Sequence, residues 1–385
     1  MPRVKIADKP FELHYRLSSP SLRDEANEID QDKETILFFH PYWTDSFYFY
    51  PQFEDPALYE KYNLIAFDAP AHGSTKVLGI SSDPVTWAFF ASMVKEALIN
   101  LNVSSVHVIG STMGCCPAVH FALNYPEMTD CAIMVAPPAL QEAPNWSLTF
   151  RECMHILINA VRIRDPEPLD AITSVIFDYN ATSHCGQAIK DLEEEYMQLI
   201  RSNLANGELN SDKTVPILIS LALSRKQLLT VEEAVDLKPP VLIIQGTDEG
   251  WEEADDQWTK LLSEVNDAYR EKHDKESEIK NVILTGMPRW MSLTCPDVLN
   301  PLITQFISSK AIHHIPPIPS LPTSGRRPSK SRGSSIGPQS EDKQFIDQIR
   351  KESTDVLASQ HGREEIRHSG DHGVQIQVEV VMKVE

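Results

Sequence analysis

Six short apolar runs constrain this chain more than any other feature: ILFFH (36–40), LIAFD (64–68), VHVIG (106–110), CAIMVA (131–136), VLIIQG (241–246) and NVILTG (281–286). Each is nearly continuous in hydrophobicity, the pattern of a strand covered on both faces, where a half-buried strand would alternate. Between them lie amphipathic stretches, at about 84–101, 113–125, 251–266 and 296–309, whose apolar residues return every three or four positions. Strands that alternate with helices predict an α/β fold: a doubly wound, mostly parallel sheet with helices on both faces.

One interval breaks this rhythm. From 140 to 236 the sequence is helical in character and falls between two successive core strands. It is expected to form a helical cap over the carboxyl ends of the strands, where open α/β sheets bind ligands. The core is thereby divided into a first part, 11–139, and a second part, 237–309. Beyond it the composition turns to Pro, Ser and Gly (IHHIPPIPSLPTSGRRPSKSRGSSIGPQSEDK), so 310–385 is expected to be a largely disordered tail. A short polar helix at 341–360 and a strand in VQIQVEVVMKV are its only structured candidates.

Charge and composition exclude several classes of function. Lys and Arg number 35 against 55 Asp and Glu, a net charge of −20, which opposes general affinity for nucleic acid or an anionic membrane. No run of about 18 apolar residues occurs, so no membrane span is expected. The six cysteines form no CxxC pair and read as reduced thiols, and MPRVKIADKP lacks the apolar stretch of a secretory signal. A cytoplasmic protein is expected. His361, His368 and His372 are scattered without a partner set, and neither a metal nor a cofactor is called for.

The densest chemistry lies in VHVIGSTMGCCPAVHFALNYPE, where an apolar strand runs through Gly110-Ser111-Thr112-Met113-Gly114 into a helix. A sharp strand-to-helix turn needs small flanking residues because its central residue is strained and pushed outward. The segment resembles the G-x-S-x-G nucleophile elbow of the α/β-hydrolase superfamily. Four further fragments, in the right order, resemble that family's landmarks. They are His40-Pro41-Tyr42, the turn from Asp68 through His72-Gly73-Ser74-Thr75, Gln245-Gly246-Thr247-Asp248, and Gly286 to Trp290 followed by Cys295-Pro296-Asp297.

The resemblance implies catalytic positions at Thr112, Asp248 and Arg289, and an oxyanion hole from the backbone N–H groups of Tyr42 and Met113. His40, Trp43 and Ser111 would bind substrate. Two triad positions depart from the family pattern. The elbow carries threonine for serine, and the histidine position carries Arg289, whose guanidinium never gives up its proton to serve as a base. Ordinary ester hydrolysis is therefore argued against, although the aromatic loop TDSFYFYPQF (44–53) suits a small hydrophobic molecule. Three readings follow: a hydrolase of an ester of such a molecule, a lyase, cyclase or isomerase that uses the pocket without the triad, and a non-catalytic protein that binds a ligand or partner. Asp248 and Arg289 are also expected to form an ion pair.

Overall fold

The computed structural model describes residues 2–316, apart from 24–27, 82–83, 142–143, 181–185, 224–227, 248–251 and 275–276. The expected tail lies outside the described residues from 317 onward, as does Asp248.

Among the described residues nine strands form one sheet: β1 (Arg3–Lys5), β2 (Phe11–Ser18), β3 (Thr35–Phe39), β4 (Asn63–Phe67), β5 (Lys76–Val77), β6 (Val106–Ser111), β7 (Thr129–Val135), β8 (Val241–Thr247) and β9 (Ile279–Thr285). Their order is β1-β2-β4-β3-β6-β7-β8-β9, with β5 paired to β2. From β4 through β9 every neighbouring pair is parallel, while β2 runs antiparallel to β4. All six apolar runs became parallel strands. Every residue of β3, β4 and β6 is buried, as two-sided cover requires.

The helices are α1 (Tyr50–Phe53), α2 (Pro56–Tyr59), α3 (Trp87–Asn100), α4 (Cys115–Asn124), α5 (Pro144–Ile163), α6 (Glu167–Asn180), α7 (Gly186–Ala205), α8 (Thr214–Leu223), α9 (Val231–Val235), α10 (Glu252–His273), α11 (Met291–Thr294) and α12 (Pro296–Ser309). Helix α3 starts where the Thr86 side chain accepts from the Phe89 N–H, and Phe90 lies 5.5 Å from Phe39 of β3 in an edge-to-face contact. Phe121 of α4 meets the same Phe39 at 6.3 Å, so one strand residue ties two helices to the sheet. Burying each such ring contributes on the order of 1.5–3 kcal/mol. Helices α5–α9 occupy the interval between β7 and β8. The last of them opens with a reciprocal capping box, Thr230 to the Glu233 N–H and Glu233 back to Thr230.

The aromatic loop after β3 divides by burial. Tyr48, Phe49 and Phe53 are fully buried, with Phe49 4.8 Å and Phe53 5.8 Å from Phe38, so these rings anchor the loop to the core. Phe47 and Tyr50 stay 42% exposed and stack on each other at 5.7 Å.

Candidate active site

Strand β6 ends at Ser111, a 3-10 turn spans Thr112–Gly114, and α4 follows at once. Thr112 sits at φ +46°, a conformation that costs a β-branched residue heavily. The glycines on either side make the turn sterically possible. A Cβ on Gly110 would lie 2.5 Å from the Gly114 carbonyl oxygen, and one on Gly114 would collide with the Phe39 carbonyl of β3. Thr112 is partly exposed, and among the described residues its hydroxyl has no hydrogen-bond partner. Met113 follows inside the turn, where the first N–H groups lack intrahelical acceptors.

Ser111 is turned the other way. It is fully buried, and its Oγ meets the Tyr48 hydroxyl at 3.0 Å and accepts from the Ser292 hydroxyl at 3.2 Å. Its side chain ties the elbow strand to α11 and to the loop after β3. His40 likewise has both ring nitrogens engaged. It is 2% exposed, its Nδ1–H donates to the Pro41 carbonyl (2.8 Å), and its Nε2 accepts from the Ala69 N–H (2.9 Å). Burial lowers its pKa, so the ring stays neutral and braces the loop after β3.

Trp43 and Tyr42 link that loop to the inserted helices. Trp43, itself at φ +64°, donates from Nε1 to the Thr173 hydroxyl of α6 (3.0 Å). Tyr42 donates its hydroxyl to the Leu218 carbonyl of α8 (3.1 Å), and burial raises its pKa far beyond titration. Trp43, Tyr196 and Leu218 together line a cavity of about 190 Å³. His72 lies edge-on to Tyr42 with ring centroids 5.1 Å apart. Its Nδ1–H donates to Pro70, and its Nε2 is buried without a partner among the described residues. Burial and the neighbouring His40 push its pKa down to about 3, so it too is neutral.

Arg289 lies just after β9 and is 2% exposed. Its guanidinium donates to the Pro137 carbonyl (2.9 Å) and to Asp255 (3.4 Å), and Asp255 also accepts from Gln245 Nε2 (3.2 Å). The expected partner Asp248 is outside the described residues, so the partner on view is one that sequence reasoning missed. Asp255 sits in WEEADDQW, an acidic helix start that reads as dipole complementation and gives no hint of a long-range pair. Among the described residues, Cys115, Cys116, Cys131, Cys153 and Cys295 form no disulfide, and no group of three His, Cys, Asp or Glu side chains could hold a metal ion. No helix among them is long and apolar enough to cross a membrane.

A parallel sheet whose central strand runs through a strained elbow into a buried helix defines the class of protein. The family model described as the alpha/beta hydrolase fold matches residues 34–261, more than half of the chain, and the chain belongs to that family. A 2-hydroxy-6-oxononadienedioate/2-hydroxy-6-oxononatrienedioate hydrolase of Escherichia coli is 28% identical over 135 residues, 33% of this chain and 43% of the relative. The chain thus spans less than half the length of the curated relatives it matches. A thermophilic esterase from Thermogutta terrifontis superposes with a TM-score of 0.59 at 15% identity, over 80% of this chain and 98% of its own. An enol-lactonase from Burkholderia xenovorans LB400 gives 0.55 at 16% identity, over 80% and 100%. At these identities the structural likeness is one of fold alone.

Proposed function

We propose that this protein uses the α/β-hydrolase frame to bind a small apolar carbonyl compound, of the ester or lactone class, without efficient triad hydrolysis. The observation that carries this reading is Arg289, a buried cation hydrogen-bonded to Pro137 and Asp255 in the segment that would otherwise present the catalytic imidazole. Its neighbour Ser292 bonds to Ser111 beside the elbow, which supports assigning this segment to the histidine's usual place. A permanent cation cannot take the Thr112 proton, and a threonine hydroxyl without a base is a weak nucleophile. The carbonyl of the ligand follows the names of the similar proteins, a hydrolase of an oxo-dienedioate and an enol-lactonase, and its apolar character follows the aromatic lining of Trp43 and Tyr196. In this reading α5–α9 serve as a cap, and the Tyr42 and Met113 N–H groups polarise the ligand carbonyl as an oxyanion hole would.

The strain at Thr112 favours a second reading, residual slow hydrolysis, since a β-branched residue keeps φ +46° only where the surroundings enforce it. One experiment separates the two. Wild-type protein assayed with aryl esters at pH 6–9 is expected to turn over barely above background, and a fluorophosphonate probe is expected to leave it unlabelled. The double variant Thr112→Ser, Arg289→His is expected to gain orders of magnitude in kcat/KM. Strong wild-type activity that disappears in Thr112→Ala would replace the binding reading with the hydrolytic one.

A further inference from the structure

The cavity of about 190 Å³ lies between the turn after β4, strand β5, helix α7 and the segment that leads into α8. Trp43, next in the chain to Tyr42, forms one wall, and Leu199, Ile200 and Leu218 add apolar surface. No elbow residue lines it. A space of this size holds a single ring or a chain of about six carbons, since a cavity of about 150 Å³ admits benzene.

Most polar side chains on these walls are already paired within the protein. Thr75 donates to the Asp68 carbonyl (2.8 Å) and accepts from the His14 N–H (3.0 Å). Thr214 donates to the Asn210 carbonyl (3.0 Å) and accepts from the Asn210 N–H (2.7 Å). The Asn210 amide accepts from the Lys213 N–H (2.8 Å) and donates to the Gly207 carbonyl (3.1 Å), while Asn203 reaches the Gly73 carbonyl at 3.5 Å. What is left in excess is donors. Tyr196 is 4% exposed, stacked on Phe177 and edge-on to Trp43, and its hydroxyl has no hydrogen-bond partner among the described residues. Lys76 at the exposed rim and the half-buried Lys213 form no ion pair among those residues. Helix α8 opens at Thr214 on the same wall, which adds the positive end of its dipole. Glu208 is the one carboxylate among the lining residues, and it is exposed to solvent that screens it.

We propose that the carbonyl compound this protein binds also carries a carboxylate, received in this cavity by Lys76, Lys213 and the Tyr196 hydroxyl; the inference rests on the binding reading of the site. A carboxylate supplies acceptors for all three donors and the negative charge that two unpaired ammonium groups lack. An ester or a hydroxyl supplies acceptors alone. The ligand class is thereby narrowed to a short apolar chain with a carboxylate at one end and a neutral ester or lactone carbonyl at the other. Its chain lies against Leu199, Ile200 and Leu218. Burial, then Asp45, Tyr42 and Asp68, raise the Tyr196 pKa, so its hydroxyl keeps the proton it donates. Of those neighbours Asp68 is held by His14 at 2.7 Å, which offsets its charge toward an incoming anion. With a net charge of −20 the surface as a whole repels anions, so uptake of one depends on these local cations.

The test is isothermal titration calorimetry of the full chain with monomethyl adipate, an ester that carries a carboxylate. Dimethyl adipate, the same chain without charge, and methyl 6-aminohexanoate, with a cation in place of the anion, serve as comparisons. Saturable one-to-one binding of the half-ester is expected, at least tenfold tighter than either comparison at low salt. In the double variant Lys76→Gln, Lys213→Gln the half-ester is expected to fall to the affinity of the diester; neither ammonium pairs with a carboxylate of the protein, so the fold does not depend on them. Tyr196→Phe keeps the ring against Phe177 and Trp43 and is expected to weaken the half-ester several-fold. Equal affinity for half-ester and diester, or a half-ester affinity unmoved in either variant, would overturn the carboxylate assignment and leave the binding reading in place. Absence of saturable heat with both esters would remove the two together.

Discussion

Thr112 shows how much a single backbone angle carries. At φ +46° its branched side chain is held where glycine would rest without strain, a cost of about 1–3 kcal/mol. Thr112→Gly is therefore expected to stabilise the fold by about 1 kcal/mol in urea denaturation, after the greater entropy of an unfolded glycine is deducted. An unchanged or lower midpoint would mean that the threonine side chain contributes packing that outweighs its strain. This position was legible because Gly110 and Gly114 bracket it in the sequence. The partners of Ser111 and His40 were not, since Ser292, Tyr48 and Ala69 lie far away along the chain. Asp255 was illegible for the same reason, because nothing local distinguishes it from the carboxylates beside it.

At the scale of elements, six strands could be read directly because burial on both faces forces an unbroken apolar run. β2 could not. Its sequence, FELHYRLS, interleaves His14 and Arg16 with apolar residues, and both meet carboxylates, His14 at Asp68 (2.7 Å) and Arg16 at Glu54 (4.0 Å). The joint between β6 and α4 depends on contact rather than on backbone freedom at Gly114, whose φ of −62° any residue adopts. There, Gly114→Ala sets a methyl against the Phe39 and His40 carbonyls, backbone that cannot yield. The expected cost is about 3 kcal/mol or more, at the upper end for overpacking. Gly207 is the contrasting case: φ is +74° and an added methyl would meet nothing within 4 Å, so Gly207→Ala should cost only about 1 kcal/mol of backbone strain. Equal losses in the two variants by chemical denaturation would refute the distinction.

For the molecule as a whole, buried titratable groups set the response of stability to pH, and two of them act in opposite directions. His72 is held neutral with a pKa of about 3, below its value in the unfolded chain. Its contribution is fully present above about pH 6.5 and is lost as pH falls toward 3, because only the unfolded state takes up the proton. His40, lowered by burial, adds to the same acid limb. Asp45 works the other way. Its pKa is raised to about 7 by burial and by Asp68, so its contribution is present below about pH 4 and is lost as pH rises through 7. Between pH 7 and pH 4 the histidines therefore withdraw stability while Asp45 returns some of it. His72→Asn, which keeps a donor for the Pro70 carbonyl, should flatten the acid limb by up to about 1.4 kcal/mol per pH unit, one proton's worth. Asp45→Asn should steepen that limb and stabilise the protein at pH 8. Urea midpoints for the three proteins at half-unit steps from pH 4 to pH 8 measure both effects against one baseline, so changes in net charge common to all cancel. If both variants shifted the curve in the same direction, the opposed roles of His72 and Asp45 would have to be abandoned.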